Sequence, residues 1–188
     1  MPAQALQFDL SSAARSSELE LDRNTRLSEL VRDKYSFVWR SLRRLGVPYS
    51  DVDDAVQEVF LETSRRLDDI RRGTEAGFLF RASSFVSKRV RRRYARRRED
   101  GDEGLDGSVD TRANPEQQAV QSEAREALQQ ILQAMPDEYR EVFILFEMEQ
   151  LTKAEVAAAL DLPEGTVSSR IFRARRFFER AVQRQSSR

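Results

Sequence analysis

Apolar residues recur at steps of three and four along most of the chain, with polar and charged residues between them. Such spacing places the apolar side chains on one face of an α-helix. Two stripes of this kind, separated by Gly46 and Pro48, comprise Leu27, Leu30, Val31, Val38, Trp39, Leu42 and Leu45, then Val52, Val56, Val59, Phe60, Thr63 and Leu67. Prolines and glycines are otherwise few. The pattern therefore predicts an all-α protein.

The stripes form two groups, separated by a segment that lacks them. Residues 99–115 contain three glycines and six acids but almost nothing apolar, which predicts a flexible acidic linker. Residues 25–98 carry three helical stretches before it, and residues 116–184 carry further stretches after it. Residues 1–24 show no sustained period and are predicted to be a mobile arm. We therefore expect two small helical domains joined by the linker.

The composition excludes several kinds of chemistry. The chain has no cysteine and no histidine, so it lacks disulfides, a thiolate nucleophile, and the commonest general base and metal ligand. No apolar run reaches the roughly 18 residues of a membrane span. The first residues also lack the pattern of a signal peptide. We expect a cytoplasmic protein that is not an enzyme and has no cofactor or metal site.

The end of the chain carries the most specific local signal. Residues 152–155 form a capping box that starts a short helix, residues 161–163 break it, and a longer helix follows. This order predicts a helix-turn-helix. Seven arginines and one acid lie between residues 165 and 188, which favours DNA binding over a solvated basic face. The outward-facing residues near the start of the second helix are Ser168, Ser169, Arg170, Phe172 and Arg173.

Acidic side chains lie along the outer side of the second helix. Asp54, Glu58 and Glu62 follow each other at steps of four, so like charges are stacked on one ridge together with Asp53. Such pairs are mildly destabilising in an isolated helix. Taken alone, the ridge fits a solubilising face better than a docking site for a basic partner.

A basic run follows in the third helix. Residues 81–98 contain nine basic residues and no acid, which predicts binding to nucleic acid phosphates. Phe78, Phe80, Phe85 and Tyr94 are interleaved with the run, and aromatic rings at such positions can stack on unpaired bases. For Phe78 and Phe85, however, we expect a place in the hydrophobic core.

Two parts of the chain resemble bacterial sigma factors. Residues 30–46 (LVRDKYSFVWRSLRRLG) and 51–61 (DVDDAVQEVFL) are similar to the core-binding region of these proteins, and residues 128–182 resemble their promoter-binding fourth region. With only these two regions and a short linker, the chain is similar to the extracytoplasmic-function (ECF) group. Relatives commonly have asparagine where Phe85 stands and a basic residue where Ser168 stands, which leaves the promoter sequence open.

The resemblance implies three binding surfaces. The surface for core RNA polymerase, mainly its β′ subunit, would comprise Val38, Trp39, Asp53, Asp54, Gln57, Glu58 and Phe60. The downstream promoter element would be recognised and melted by Phe80, Ser84, Phe85, Lys88, Arg89, Arg92 and Arg93. The upstream element would be read by Ser168, Ser169, Arg170, Phe172 and Arg173, with Thr166 and Arg176 on phosphates. An anti-sigma factor that clamps the two domains together is also implied.

Two other functions are weighed against the sigma factor. The first is an operator-binding regulator that uses its helix-turn-helix on a palindromic site and dimerises through its N-terminal domain. The second is a metal-dependent enzyme acting on nucleic acid through Asp53, Asp54 and Glu58. The second is the poorer account, because these acids lie on one open helix face and no second acidic cluster accompanies them.

Overall fold

The computed structural model describes residues 3–99 and 115–186, and it describes side chains within 20–97 and 123–185. Within these ranges the chain forms seven α-helices and no strand, which confirms the all-α prediction. The helices are α1 (Ala3–Arg44), α2 (Val52–Arg65), α3 (Glu75–Glu99), α4 (Pro115–Ala134), α5 (Asp137–Phe143), α6 (Lys153–Leu160) and α7 (Glu164–Ser186). Short 3₁₀ turns occupy Tyr49–Asp51 and Leu67–Asp69, and a π-helical segment, Ile144–Met148, continues α5.

Helices α1 to α3 form the N-terminal half and pack around one core. The two stripes predicted from the sequence supply most of it, because Val38, Leu42, Val52 and Val59 are all buried there. The 3₁₀ turn between α2 and α3 is tied to α1 by Arg26, which donates to the carbonyl oxygens at positions 67 and 70. The core thus fixes the angle between the acidic helix α2 and the basic helix α3.

The start of α1 differs from the prediction. Residues 1–24 were expected to form a mobile arm, but α1 begins at Ala3 and continues without a break to Arg44. The arm is therefore corrected to a helical extension over residues 3–24. A helix backbone needs no apolar stripe where its residues have adequate helix propensity. Of the predicted linker, residues 100–114 lie outside the described residues, while Glu99 ends α3 and Pro115 begins α4.

Helices α4 to α7 form the C-terminal half, and α6 and α7 are the predicted helix-turn-helix. The capping box is present, since the Thr152 hydroxyl accepts from the Glu155 amide at 3.2 Å and the Thr152 amide donates to the Glu155 carboxylate at 2.7 Å. Asp161, with φ 54°, ends α6 in the left-handed conformation. Buried Val167, Ile171 and Ala174 hold α7 against the rest of this half.

The two halves pack directly against each other. Leu45, just after α1, and Phe80 in α3 are buried in the same apolar cluster as residues of α4 to α7. Gly77 in α3 lies so close to α6 that a Cβ atom there would be 2.9 Å from the Cα atom of Ala159. No sequence pattern predicted this contact, because it joins residues far apart in the chain.

Candidate polymerase and nucleic-acid interfaces

The acidic ridge on α2 has an exposed outer face. Asp53, Asp54 and Gln57 are exposed, while Glu58 is half-buried beside α3 and forms an ion pair with Arg89. Acids in the first turn of α2 are also favoured by the helix dipole. Tyr35 of α1 is exposed and donates to Asp53 at 3.4 Å, and partial desolvation together with that carboxylate raises the pKa of Tyr35. The ridge is thus only partly neutralised within the molecule.

The apolar residues predicted for polymerase binding lie mainly inside the N-terminal half. Val38 and Phe60 are buried in its core, so in this structure they pack α1 against α2 and present no surface. Trp39 is half-buried and lies edge-to-face against Tyr49 at 6.0 Å between ring centroids. Leu61 was not predicted, yet it is 58% exposed at the end of the acidic ridge. Its exposure follows from the helical period, since it lies four residues after Gln57.

A groove of about 620 Å³ runs between α2 and α3. Phe85 is 69% exposed in this groove, so its expected place in the core is wrong, while Phe78 is half-buried with the Arg66 guanidinium above its ring at 5.9 Å. Four arginines line the groove, and they are Arg65, Arg66, Arg81 and Arg89. Glu58 and Glu62 also line the groove and pair with Arg89 and Arg65. The groove thus combines apolar side chains with arginines that are partly neutralised, and an exposed ring beside arginines is typical of sites for unstacked bases.

Phe80 differs from its neighbours in the basic helix. The sequence placed it among the residues that melt DNA, but it is fully buried between the two halves. This prediction is therefore corrected for the conformation described, in which Phe80 is inaccessible to DNA. The helical period explains the difference, because Phe80 and Phe85 lie about 140° apart around α3, at 100° per residue.

The basic residues of α3 lie in three different environments. Arg89 forms an ion pair with Glu58 of α2, and Arg93 forms one with Asp51, which immediately precedes α2. Lys88 faces the C-terminal half and lies 2.8 Å from the Glu141 carboxylate, which also accepts from Ser84 at 2.5 Å. Arg92 is exposed to solvent, as are Arg96 and Arg97. The same helix therefore carries both solvent-exposed cations and cations paired with acids of either half.

The exposed face of α7 carries the residues predicted to read DNA. Phe172 is 60% exposed, with the Arg176 guanidinium over its ring at 5.7 Å, and Ser169 and Arg173 are exposed beside it. Thr166 and Ser168 are half-buried at the start of the helix. Arg170 is half-buried too and pairs with Glu138 of α5 at 3.3 Å. This face is exposed and carries basic side chains, which suits a helix that enters the major groove.

Two kinds of site are absent from the part of the chain that the structure describes. Within residues 3–99 and 115–186, no cluster of three acidic side chains is arranged to hold a metal ion. Over the same described residues, no helix has a stretch both long and apolar enough to span a lipid bilayer.

Comparison with known proteins identifies the family. The family model "Sigma-70, region 4" matches residues 125–178. The ECF RNA polymerase sigma-E factor of Escherichia coli (strain K12) is 33% identical over 160 residues, which covers 80% of this chain and 83% of that protein. The ECF RNA polymerase sigma factor SigE of Mycolicibacterium smegmatis is 34% identical over 160 residues, covering 85% of this chain and 62% of that protein.

Two solved structures share the fold. A structure of CnrH in complex with the cytosolic domain of CnrY has a TM-score of 0.63 at 24% identity, covering 85% of this chain and 89% of that chain. A structure of the sigma factor RpoE in complex with the anti-sigma factor NepR from Bartonella quintana has a TM-score of 0.57 at 20% identity, covering 81% of this chain and 96% of that chain. Together with the identities to curated relatives, these findings confirm the resemblance, and the chain belongs to the ECF RNA polymerase sigma factors.

Proposed function

We propose that this ECF sigma factor acts in the cytoplasm as a dissociable initiation factor without catalysis of its own. It binds core RNA polymerase through the outer face of α2, and its two halves then engage two promoter elements. The observation that carries the proposal is the arrangement of three surfaces on one chain. They are the exposed acidic ridge, the arginine-lined groove beside it and the basic face of the helix-turn-helix.

The polymerase surface is assigned to Asp53, Asp54, Gln57 and Leu61. All four are exposed on one side of α2, so a basic helix of the β′ subunit would find complementary charge and an apolar contact together. The buried Val38 and Phe60 hold this surface in place. Glu58 lies between the polymerase surface and the groove, because it is part of the acidic ridge and its carboxylate pairs with Arg89 of α3.

The downstream element is assigned to the groove between α2 and α3. Phe85 offers an exposed ring on which an unstacked base can stack, and Arg89 lies in the same groove. Arg92 and Arg93 continue along α3 and suit the sugar-phosphate backbone. Stacking gives weaker base preference than hydrogen bonding, so phenylalanine at position 85 implies a tolerant downstream element.

The upstream element is assigned to α7. Ser169, Phe172 and Arg173 present hydroxyl, apolar and guanidinium groups in its first turns, and these are the groups that contact base edges in the major groove. Thr166 and Arg176 flank them and suit phosphates. An anti-sigma factor is the remaining proposed partner, since both solved structures of similar fold were determined as complexes, one of them with the anti-sigma factor NepR.

Co-elution with bacterial core RNA polymerase on a sizing column tests the polymerase surface. The double variant Asp53→Lys/Asp54→Lys should lose co-elution, while Asp68→Lys/Asp69→Lys, with the same change of charge on exposed acids outside the ridge, should keep it. Circular dichroism checks that α2 still forms, because acids in its first turn favour the helix. Failure of the unmodified protein to co-elute, or equal loss in both variants, would refute the assignment.

A further inference from the structure

The loop between α2 and α3 contains a threonine that none of the three binding surfaces uses. Thr74 is the last residue before α3, and Arg71, Arg72 and Gly73 precede it. These four residues are exposed, while Ile70 before them is buried. The Thr74 hydroxyl and amide both donate to the Arg71 carbonyl oxygen, at 2.9 Å and 3.1 Å, which closes a tight turn. The loop is therefore anchored at one end and presents Thr74 to solvent directly after two arginines.

The order of residues in this loop matches the substrates of one class of protein kinase. Kinases that prefer basic substrates phosphorylate a serine or threonine that has two arginines three and two positions before it, and such charge patterns determine their specificity. In the full sequence this arrangement occurs once, as RRGT at residues 71–74. The segment lies outside any helix, so its backbone is open to a second protein. Sequence and exposure therefore agree on Thr74 as a kinase substrate.

The surroundings of Thr74 suit a phosphate group. Within residues 20–97 and 123–185, no ion pair joins Arg66, Arg71 or Arg72 to a carboxylate. The N-terminus of α3 also favours anionic groups beside it. Glu75 follows Thr74, but the Arg26 guanidinium lies 3.9 Å from its carboxylate and offsets its repulsion. A phosphate would thus meet guanidinium groups that have no acidic partner, and such pairs form charge-assisted hydrogen bonds.

Thr74 also lies next to the groove between α2 and α3. The Phe78 amide donates to the Thr74 carbonyl oxygen at 3.2 Å, so Thr74 precedes Phe78 by one helical turn, about 6 Å along the axis of α3. Phe78 and Arg66 both line the groove, and the Arg66 guanidinium lies 5.9 Å from the centre of the Phe78 ring. A charge added at Thr74 would therefore act on the N-terminal end of the groove.

We propose that Thr74 is a phosphorylation site through which a protein kinase lowers promoter opening. The Thr74 oxygen attacks the γ-phosphorus of ATP held by the kinase, its proton passes to a carboxylate of the kinase, and the bond to the β-phosphate oxygen breaks so that ADP leaves. The new phosphate carries a charge of about −1.5 to −2. It pairs with arginines of the loop and the groove and repels the phosphates of an entering DNA strand. The inference rests on the proposed function, since it takes the groove to bind the downstream element.

Phosphorylation of the purified protein tests the site. The probe is the catalytic subunit of cAMP-dependent protein kinase with ATP, because this kinase recognises paired arginines, and mass spectrometry locates the phosphate. One phosphoryl group should appear on Thr74 and none on Thr74→Val. Arg71→Gln/Arg72→Gln should take it up at least about tenfold more slowly, since the kinase loses charge-assisted hydrogen bonds. Absence of phosphate from Thr74, or equal uptake by Thr74→Val, would overturn the proposal.

Permanganate reactivity of unpaired thymines, in a complex with core polymerase and promoter, measures the consequence. The phosphorylated protein should show an equilibrium for the melted complex that is lower by about fivefold or more. Its co-elution with core polymerase should be unchanged, because Asp53 and Asp54 lie in the first turn of α2 and Thr74 follows the last. Removal of the phosphate by a phosphatase should restore melting.

A matched pair of variants separates the position of the charge from its presence. Thr74→Glu should lower melting in the same direction but by less, since a carboxylate carries one charge. Ser28→Glu adds the same charge at an exposed position of α1 outside the groove and should leave melting unchanged. Circular dichroism checks that both variants keep their helices. Normal melting by the phosphorylated protein, or an equal decrease in Ser28→Glu, would contradict the regulatory role.

These experiments also distinguish failure of this inference from failure of the proposed function. Phosphate uptake requires neither polymerase nor promoter, so it is decided independently. If the unmodified protein neither co-elutes with core nor melts a promoter, the proposed function itself fails. If it does both, and the phosphorylated protein melts the promoter equally well, only the regulatory role of Thr74 is wrong.

Discussion

Replacing Phe85 by alanine should impair promoter opening and leave the fold and polymerase binding intact. Phe85 is the exposed aromatic ring of the groove between α2 and α3, and the proposed function gives it the task of stacking on an unpaired base. Polymerase binding is assigned mainly to Asp53, Asp54 and Gln57, which lie outside the groove, although Leu61 borders both surfaces. The substitution therefore tests the groove without altering the acidic residues of the polymerase surface.

Phe85→Ala should change the free energy of unfolding by less than it changes the free energy of DNA binding. Since 69% of Phe85 is exposed, the folded protein buries only about a third of the ring, and its removal should cost at most about 1 kcal/mol of unfolding free energy. Loss of base stacking should cost about 1–3 kcal/mol of binding free energy. That range corresponds to a roughly 5- to 150-fold decrease in the equilibrium for the melted complex.

Permanganate reactivity of unpaired thymines measures that equilibrium in a reconstituted complex of sigma factor, core polymerase and promoter. Phe85→Ala should reduce the reactivity, whereas Phe85→Tyr, which keeps the aromatic face, should preserve it. Phe172→Ala serves as a matched control, because that exposed ring lies on α7 and should affect closed-complex affinity instead. Normal melting by Phe85→Ala, or a parallel loss of polymerase binding, would refute the role of the ring.

Other predictions concern the framework that positions these surfaces. Arg140→Met should lower the unfolding free energy by about 3 kcal/mol in chemical denaturation, because the buried guanidinium satisfies carbonyl oxygens at the end of α4; a loss below about 1 kcal/mol would contradict this. Thr152→Ala should lower the unfolding free energy by about 1 kcal/mol, because it removes the N-cap of α6. Gln150→Gly should raise the unfolding free energy by about 0.5 kcal/mol, because φ at this position is 57° and glycine adopts such values without strain. Hydrogen bonds from Thr152 lower the pKa of the Glu155 carboxyl group. Its contribution to folding stability is therefore fully present above the ordinary glutamate pKa and is lost as the pH falls through the lowered value. Acid titration of stability should show this loss in the wild type and not in Glu155→Gln.

Local sequence patterns predicted the positions of the helices well, but they predicted less well which side of each helix is buried. The capping box at Thr152, the break at residues 161–163 and the start of the next helix are all local signals, so together they were enough to place the helix-turn-helix. In α3 the apolar positions include both Val86 and Phe85, which are adjacent in sequence, yet Val86 is buried and Phe85 exposed. A helical period fixes the centre of a stripe but leaves its edges ambiguous, and Phe85 lies at such an edge.

The contact between the halves had no sequence signal at all. Glu141 meets Lys88 across 53 positions, and Glu149 meets Arg40 across 109. Each of these residues alone is an ordinary charged helix position. The same holds for Gly77, whose missing side chain becomes meaningful only when α6 lies against it. Such features depend on tertiary packing, which periodicity does not contain.

Some of the cations of α3 are already paired with acids of the same molecule. Arg89 pairs with Glu58 and Lys88 with Glu141, and both pairs are partly open to water. Pairs of this kind contribute little to stability, so a phosphate can replace the carboxylate at small cost. Each exchange frees a carboxylate that takes up a cation, which offsets part of the counterion release from DNA. We therefore expect DNA affinity to fall less steeply with salt than the number of phosphate contacts would imply.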